Sequence, residues 1–439
     1  MKWAIYNLLF AAVYPFLLPG FLVRMLRRGG YAARMGDRFA LYPGEVMAAL
    51  RSPGSPFVWI HAVSVGEVQV AGQLMREWRA AEPDVRFCFS TTSSTGWKMA
   101  EREIGPKDVL IYNPLDFPNF VKSALKTVRP RAVVLTESEI WPNFILKAKR
   151  MGVPLFLVNA RVSDRSAPRY RLGRVFFADV FGSFSRIFAQ SDLDKGRLVA
   201  AGAPDGIVDV TGSFKFDVAR RNEAKERELA RWIFGEGGVA AAGGRKVLLG
   251  GSTWPGEDEV LVAMYRRLLE SHPGLVLVIA PRHFEKADAV EANIRAAGFG
   301  CIRRSATQSG NQSAERPGDA APAVFLSDTT GELMGLYGIA DVVFVGKSLC
   351  AHGSQNMIEP CLCGKPTFVG PYTENFRPVM SDLLASGAIV QVSDAAELEA
   401  KICASLSDDG GLGARAKAAV ESRRGVVARC VSAIRGALS

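Results

Sequence analysis

The chain has 439 residues, 48% of them apolar and 22% charged, enough for two or three domains with a large buried core, which excludes a disordered chain and a small disulfide-stapled one. Its 54 Lys and Arg against 44 Asp and Glu leave a net charge of +10, which favours an anionic partner such as nucleic acid, phospholipid or a phosphorylated substrate without choosing among them. The seven cysteines form an odd set without a CxxC pair, so neither a disulfide framework nor a zinc ribbon is indicated and a reducing compartment fits.

Trp3 to Val23 carries no charge and would make about 30 Å of helix, the length of a bilayer core. Asn7, Pro15 and Pro19 interrupt it, and no small-residue cleavage site precedes the arginines, so residues 1–28 are expected to be a retained membrane anchor. Whether it spans or dips into one leaflet stays open, and a buried core helix is the alternative. Arg24, Arg27, Arg28, Arg34 and Arg38 follow, against Asp37. Such a cluster prefers the cytoplasmic face and anionic headgroups, placing the rest of the chain in the cytoplasm.

From Phe57 short apolar runs alternate with amphipathic stretches, the pattern of βα units around parallel sheets. Strands are predicted at Phe57 to His61, Val85 to Ser90, Val109 to Tyr112, Ala132 to Thr136, Pro154 to Val158 and Arg186 to Ala189, giving a first doubly wound domain over residues 29–217. The Gly/Ala-rich stretch within residues 218–244 has the composition of an interdomain connection. A second domain, residues 245–439, repeats the pattern at Lys246 to Leu249, Leu275 to Ala280, Val324 to Leu326, Val342 to Val345, Thr367 to Val369 and Ile389 to Val392, with Ser305 to Pro322 as a polar loop. Two such sheets imply a cleft, and ligands of open α/β sheets sit beyond the carboxyl ends of the strands.

The residues after each run are therefore the candidates. Glu67 follows the first strand through the turn Ser64-Val65-Gly66. It reads either as a favourable charge in a helix first turn or as a general base facing a ligand. Glu137, in Thr136-Glu137-Ser138-Glu139-Ile140-Trp141-Pro142-Asn143, ends another strand and points either to a helix cap or to substrate; two such carboxylates can share a site as base and orienting group. The loop Asn159 to Ser166 brings Arg161 and Arg165, which suit an anionic acceptor. In the second domain Gly251, Ser252 and Thr253 precede Pro255 and offer either free amides to a phosphate or an ordinary cap; without the Walker lysine this is not a P-loop. Arg282, beside His283, has the donor fork that matches phosphate oxygens. Glu359, four residues beyond Gln355, reads either as an acceptor for a sugar diol or as a helix glutamate facing solvent. Ser191 reads as a helix cap and Asp192 and Asp194 as first-turn charges rather than metal ligands, and no other spacing suggests a metal site.

Together the blocks His61 to Glu67, Thr136 to Asn143, Asn159 to Ser163, Thr211 to Asp217, Gly251 to Thr253, Pro281 to His283 and Asn356 to Pro360 resemble the 3-deoxy-D-manno-octulosonic acid (Kdo) transferase family of lipopolysaccharide synthesis. The resemblance covers about Phe57 to Gly387 plus the N-terminal segment. It implies a GT-B fold of two Rossmann-like domains facing a cleft, with the acceptor on the first domain and CMP-Kdo held mainly by the second. The implied reaction is an inverting, metal-independent transfer of Kdo to a tetraacyl lipid A precursor at the cytoplasmic face of the inner membrane, beside anionic phospholipid and without nucleic acid. In it Glu67 is the base, Glu137 supports the base or the acceptor, and Arg282 with Gly251, Ser252 and Thr253 meets the phosphate. Asn356 and Glu359 hold the nucleotide, and Lys215 meets the donor's carboxylate or phosphate. The family's Gly-Gly-His-Asn is here Gly353, Ser354, Gln355 and Asn356; Gln355 can hydrogen-bond like an imidazole but cannot carry its proton. Another membrane-associated GT-B enzyme using a different nucleotide sugar is the alternative.

Overall fold

The computed structural model describes residues 2–8, 11–12, 16, 32–218, 221–308 and 322–438. They form two units, Met1–Val218 with Gly425–Ser439, and Ala219–Arg424.

The first unit is built on seven parallel strands, β1 (Phe57–His61), β2 (Arg86–Thr91), β3 (Val109–Tyr112), β4 (Ala132–Thr136), β5 (Leu155–Ala160), β6 (Arg186–Ala189) and β7 (Val208–Val210), in the order β3-β2-β1-β4-β5-β6-β7. Helical crossovers cover both faces of such a sheet, so its central strands read as continuous apolar runs rather than alternating ones. Accordingly Trp59, Val133, Leu135 and Leu157 bury themselves in the core on one face, and Val58, Ile60, Val134 and Val158 in the core on the other. Each such side chain contributes about 1.5 to 3 kcal/mol when fully buried. The strand order reverses between β1 and β4, and a crevice opens outside the carboxyl ends at such a switch point. His61 and Thr136 end the two strands there, joined by a Thr136 Oγ1 hydrogen bond to the His61 carbonyl of 3.0 Å.

The second unit repeats the plan with β8 (Val247–Thr253), β9 (Val276–Pro281), β10 (Gly300–Arg303), β11 (Ala323–Leu326), β12 (Val342–Val345), β13 (Thr367–Val369) and β14 (Val390–Gln391), in the order β10-β11-β9-β8-β12-β13-β14. Its switch point lies between β8 and β12.

Several expectations need correction. Strand β8 runs to Thr253 instead of ending at Leu249, and the following helix, Glu257–Ser271, is capped by Gly256 rather than by Ser252 or Thr253. The glycine pair lets the strand continue in close packing, since a Cβ on Gly251 would lie 2.7 Å from the Tyr337 hydroxyl. Ser252 then takes a left-handed φ of 53°, and the pairing with β9 shifts register between Gly251 and Thr253. Strands β7 and β10 were not expected, because three or four part-exposed residues give no apolar run.

The described part of residues 218–244 is not a bare connection. Helix Glu223–Phe234 buries Leu229, Ala230, Trp232 and Ile233, with Trp232 edge-on to Phe325 of β11 at 5.3 Å. The C-terminal boundary also moves, because Gly425–Ser439 belongs to the first unit. Helix Val426–Gly436 places Val426, Val427, Cys430, Val431 and Ile434 in the core that holds Val58 and Phe87. Asp217 anchors its start, accepting from the backbone N–H of Gly425 at 2.7 Å and of Val427 at 2.8 Å.

Most of the expected anchor, with Arg24, Arg27 and Arg28, lies outside the described residues, as does most of Ser305 to Pro322. Among the described residues no helix is long and apolar enough to cross a membrane. Lys2 pairs with Asp179 at 2.7 Å, and the Trp3 indole donates to the same carboxylate at 2.9 Å. Arg34 and Arg38 do not belong to a headgroup-facing cluster. Arg34 pairs with the fully buried Asp37 at 2.9 Å, and Arg38, 4% exposed, donates to the Thr92 carbonyl at 2.6 Å and lies over the Tyr112 ring. A buried carboxylate needs such partners, and the two arginines are spent on the first unit.

Candidate active site

Glu67 enters the site from helix Val65–Ala81, whose N-cap is Ser64. The Ser64 hydroxyl accepts from the Glu67 N–H at 3.3 Å and donates back to Glu67 Oε1 at 2.9 Å, a variant of the capping box. Oε2 accepts from the Val63 N–H at 2.9 Å and from Thr136 Oγ1 at 3.3 Å. The carboxylate is therefore buried, fixed, and shared between the ends of β1 and β4. The bonds that tie it to the start of its helix also hold it at the switch point.

Glu137 follows directly from β4, in a left-handed backbone conformation with φ 52°. Asn159, at the end of β5 with φ 53°, is fully buried. It donates to Glu137 Oε1 at 3.2 Å, and its own Oδ1 accepts from the Phe214 N–H at 3.0 Å. Asparagine tolerates the left-handed region better than most residues, and here it ties Glu137 to the segment that carries Lys215. Burial raises the Glu137 carboxyl, Arg161, Lys215 and the Asn159 bond oppose that rise, and Glu67 adds to it. Burial lowers Lys215, against the pull of Glu137. Both shifts run toward the neutral forms, with burial the larger cause in each.

Glu139 has no assigned role in the sequence reading, yet it completes the group. Burial, then the charge of Glu67, lifts its carboxyl to about 7, with the Trp141 indole bond of 3.0 Å and the charge of Glu137 opposing and adding respectively. Alternating glutamates in Thr136 to Glu139 were the available signal. His61 is fully buried, pushed down to about 4 by desolvation, and therefore neutral near pH 7. Its Nδ1 meets Ser90, while Nε2 is buried without a hydrogen-bond partner.

In the second unit three neighbouring strand ends supply the other candidates. Ser252 and Thr253 close β8 and are buried. Arg282 follows β9, with its N–H on the Thr253 carbonyl at 3.0 Å and its side chain exposed. The loop after β12 folds back, the Ser354 N–H reaching the Lys347 carbonyl at 2.7 Å and the Gln355 N–H reaching the Gly346 carbonyl at 3.1 Å. Ser354 takes a left-handed φ of 61°. Asn356 donates to Glu359 Oε1 at 3.0 Å and accepts from the Ile358 N–H at 3.1 Å. Burial raises the Glu359 carboxyl and the Asn356 bond opposes it. The charge of Glu359 in turn reaches the buried Tyr337 that packs on Gly251.

Glu257, unassigned by the sequence, organises this edge. It is fully buried, and its oxygens accept from the N–H groups of Trp254 and Lys347, both at 2.8 Å, and of Ser348 and Leu349, both at 3.0 Å. His352 is turned aside to Glu374 at 2.9 Å and is exposed. Ser191 caps helix Asp192–Ala200 as expected, and Asp194 lies in its first turn, accepting from the Val162 N–H at 2.8 Å and the Ser191 hydroxyl at 2.6 Å. Among the described residues no three His, Cys, Asp or Glu side chains gather as a metal site would require.

A family model described as 3-Deoxy-D-manno-octulosonic-acid transferase (kdotransferase) matches residues 33–218. A 3-deoxy-D-manno-octulosonic acid transferase of Bordetella pertussis is 34% identical over 83% of this chain and 83% of its own length. One from Haemophilus influenzae is 30% identical over 84% of this chain and 82% of its own. Among solved structures, a UDP-GlcNAc 2-epimerase from Neisseria meningitidis bound to UDP-GlcNAc aligns with a TM-score of 0.56 at 13% identity, over 85% of this chain and all of the other. That likeness concerns the fold alone, two parallel α/β units of the GT-B type.

Proposed function

The chain belongs to the 3-deoxy-D-manno-octulosonic acid (Kdo) transferase family, a glycosyltransferase of lipopolysaccharide biosynthesis, and we propose that it transfers Kdo from CMP-Kdo to a tetraacyl lipid A precursor with inversion. The observation that supports this reading is the pair of carboxylates, Glu67 and Glu137, at the two strand ends that flank the first switch point. Glu67 takes the proton of an acceptor hydroxyl as its oxygen attacks the anomeric carbon of Kdo. The bond from that carbon to the phosphate oxygen breaks, and CMP leaves with the electron pair. Glu137, held by Asn159, orients the acceptor, and Lys215 meets the donor's carboxylate or phosphate. In the second unit Arg282 and the Gly251, Ser252 and Thr253 segment receive the phosphate, while Asn356 and Glu359 hold the nucleotide.

We propose no metal for the reaction. A single leaving phosphate can be stabilised by fixed cations and amides, and Asp194, which a metal site of the DxD type would need, is already engaged by the Val162 N–H and the Ser191 hydroxyl. The setting proposed is the cytoplasmic face of the inner membrane, beside anionic phospholipid. Supporting it, helices Ala167–Leu172 and Arg174–Phe181 carry Leu172 at 90% and Val175 at 70% exposure among Arg169, Arg171 and Arg174. Apolar tips between cations suit a lipid surface.

The test is incubation of the purified protein with CMP-Kdo and a phosphorylated tetraacyl lipid A precursor. A product heavier by one or more Kdo units is expected. An unchanged acceptor with this donor, but conversion with another nucleotide sugar, would favour the alternative donor class and overturn the reading.

A further inference from the structure

Lys347 is the first polar side chain beyond β12, at the second sheet's switch point. Its backbone is left-handed, with φ 58°, a region that disfavours any residue with a Cβ. The fold imposes this conformation, because the Lys347 N–H is held by Glu257 at 2.8 Å and its carbonyl by the Ser354 N–H at 2.7 Å. A lysine in a position that glycine would fill without strain calls for a reason in its side chain.

The side chain is half-buried, and its ammonium lies over the Trp254 ring, 4.8 Å from the centroid. Trp254 in turn meets the His283 ring edge-on at 4.9 Å. Among the described residues no carboxylate pairs with Lys347 or with Arg282. The strand order β9-β8-β12 thus places one such cation on either side of the end of β8. A half-buried ammonium braced on an aromatic ring and lacking a counter-ion is prepared for an anion.

We propose that Lys347 is a donor-binding residue, its ammonium meeting the anionic part of the nucleotide sugar across the end of β8 from Arg282. This rests on the reading of the second unit as the CMP-Kdo site, and it adds a contact that the family motifs do not contain. Two groups of the donor share the required chemistry, the phosphate and the sugar's carboxylate. Binding of CMP alone separates them, because only the phosphate is present in CMP.

The decisive variant is Lys347→Gly, which deletes the ammonium and relieves the backbone. Relieved strain predicts a melting temperature no lower than that of the unaltered enzyme. Loss of the contact predicts a KM for CMP-Kdo raised at least about tenfold, the scale of one charge-assisted hydrogen bond, with the acceptor KM unchanged. Lys347→Arg keeps the charge and should restore most of the loss. If CMP affinity falls in parallel the partner is the phosphate; if it holds while the CMP-Kdo KM rises, the partner is the sugar carboxylate. A Lys347→Gly enzyme whose CMP-Kdo KM and CMP affinity both stay within about twofold would overturn the proposal, leaving the lysine as a brace for Trp254. An equal rise in KM for Lys347→Arg would overturn it as well, by assigning the loss to a displaced Trp254. An unaltered enzyme that binds neither CMP nor CMP-Kdo would instead refute the proposed function, and the donor role of Lys347 with it.

Discussion

Thr136, the last residue of β4, shares its single hydroxyl hydrogen between the His61 carbonyl at 3.0 Å and Glu67 Oε2 at 3.3 Å. One side chain thus binds the ends of the two strands between which the first sheet reverses, and fixes the carboxylate that leaves the first of them. The same bonds that tie Glu67 to the start of its helix orient it at the strand ends, where the proposed proton transfer requires it.

Glu139 makes stability depend on pH. Its carboxyl is raised to about 7 in the folded chain, above the usual value near 4.5, so the folded state holds a proton that the unfolded state has released. The stabilisation from the neutral form is full below about pH 4.5 and is lost as pH rises to about 7, a change on the order of 2 kcal/mol after allowance for partial exposure. Glu139→Gln should flatten this part of the stability profile. Urea unfolding from pH 5 to 8 measures it, and identical slopes for both proteins would show that Glu139 is not the group responsible.

Asp217 is expected to hold the C-terminal helix on the first unit through its two backbone acceptor bonds. Hydrogen bonds to a charged group contribute about 1.5 to 3 kcal/mol, so Asp217→Ala should destabilise the protein by about 2 to 3 kcal/mol. Hydrogen exchange of Val426–Gly436 should rise with it. Unchanged protection there would place the anchoring elsewhere.

The exposed tips at Leu172 and Val175 bury little, so their loss should not affect folding. Replacing both by Glu is expected to weaken binding to vesicles rich in anionic phospholipid while melting stays the same. Vesicle flotation of the two proteins tests this. Equal recovery with lipid would remove these helices from the membrane-facing surface.

The two parallel sheets were legible in the sequence because both faces of each are covered, so strands such as Phe57–His61 and Val342–Val345 stand out as unbroken apolar runs. Glu67, Glu137 and Arg282 were legible for the same reason, as the polar residues that follow such runs. Sequence could not assign helix Val426–Gly436 to the first unit, since an amphipathic face states that it is buried but not against which sheet. Arg34 and Arg38 misled because a run of cations does not reveal that Asp37, Thr92 and Tyr112 await them within the fold. Glu139, Glu257 and Lys347 gain their roles from partners as much as ninety or more positions away, which no local pattern records.

The central claim is that Glu67 accepts the proton of the attacking hydroxyl, and its most direct measurement is the turnover of Glu67→Gln at saturating CMP-Kdo and lipid acceptor. A positioned base contributes about 10² to 10⁴ in rate, while loss of a capping carboxylate costs about 1 kcal/mol of stability and little activity. The account predicts turnover lowered by that factor with CMP affinity retained. Near-normal turnover in a variant with only a slightly lowered melting temperature would contradict it, leaving Glu67 as a cap and Glu139 as the next base to test.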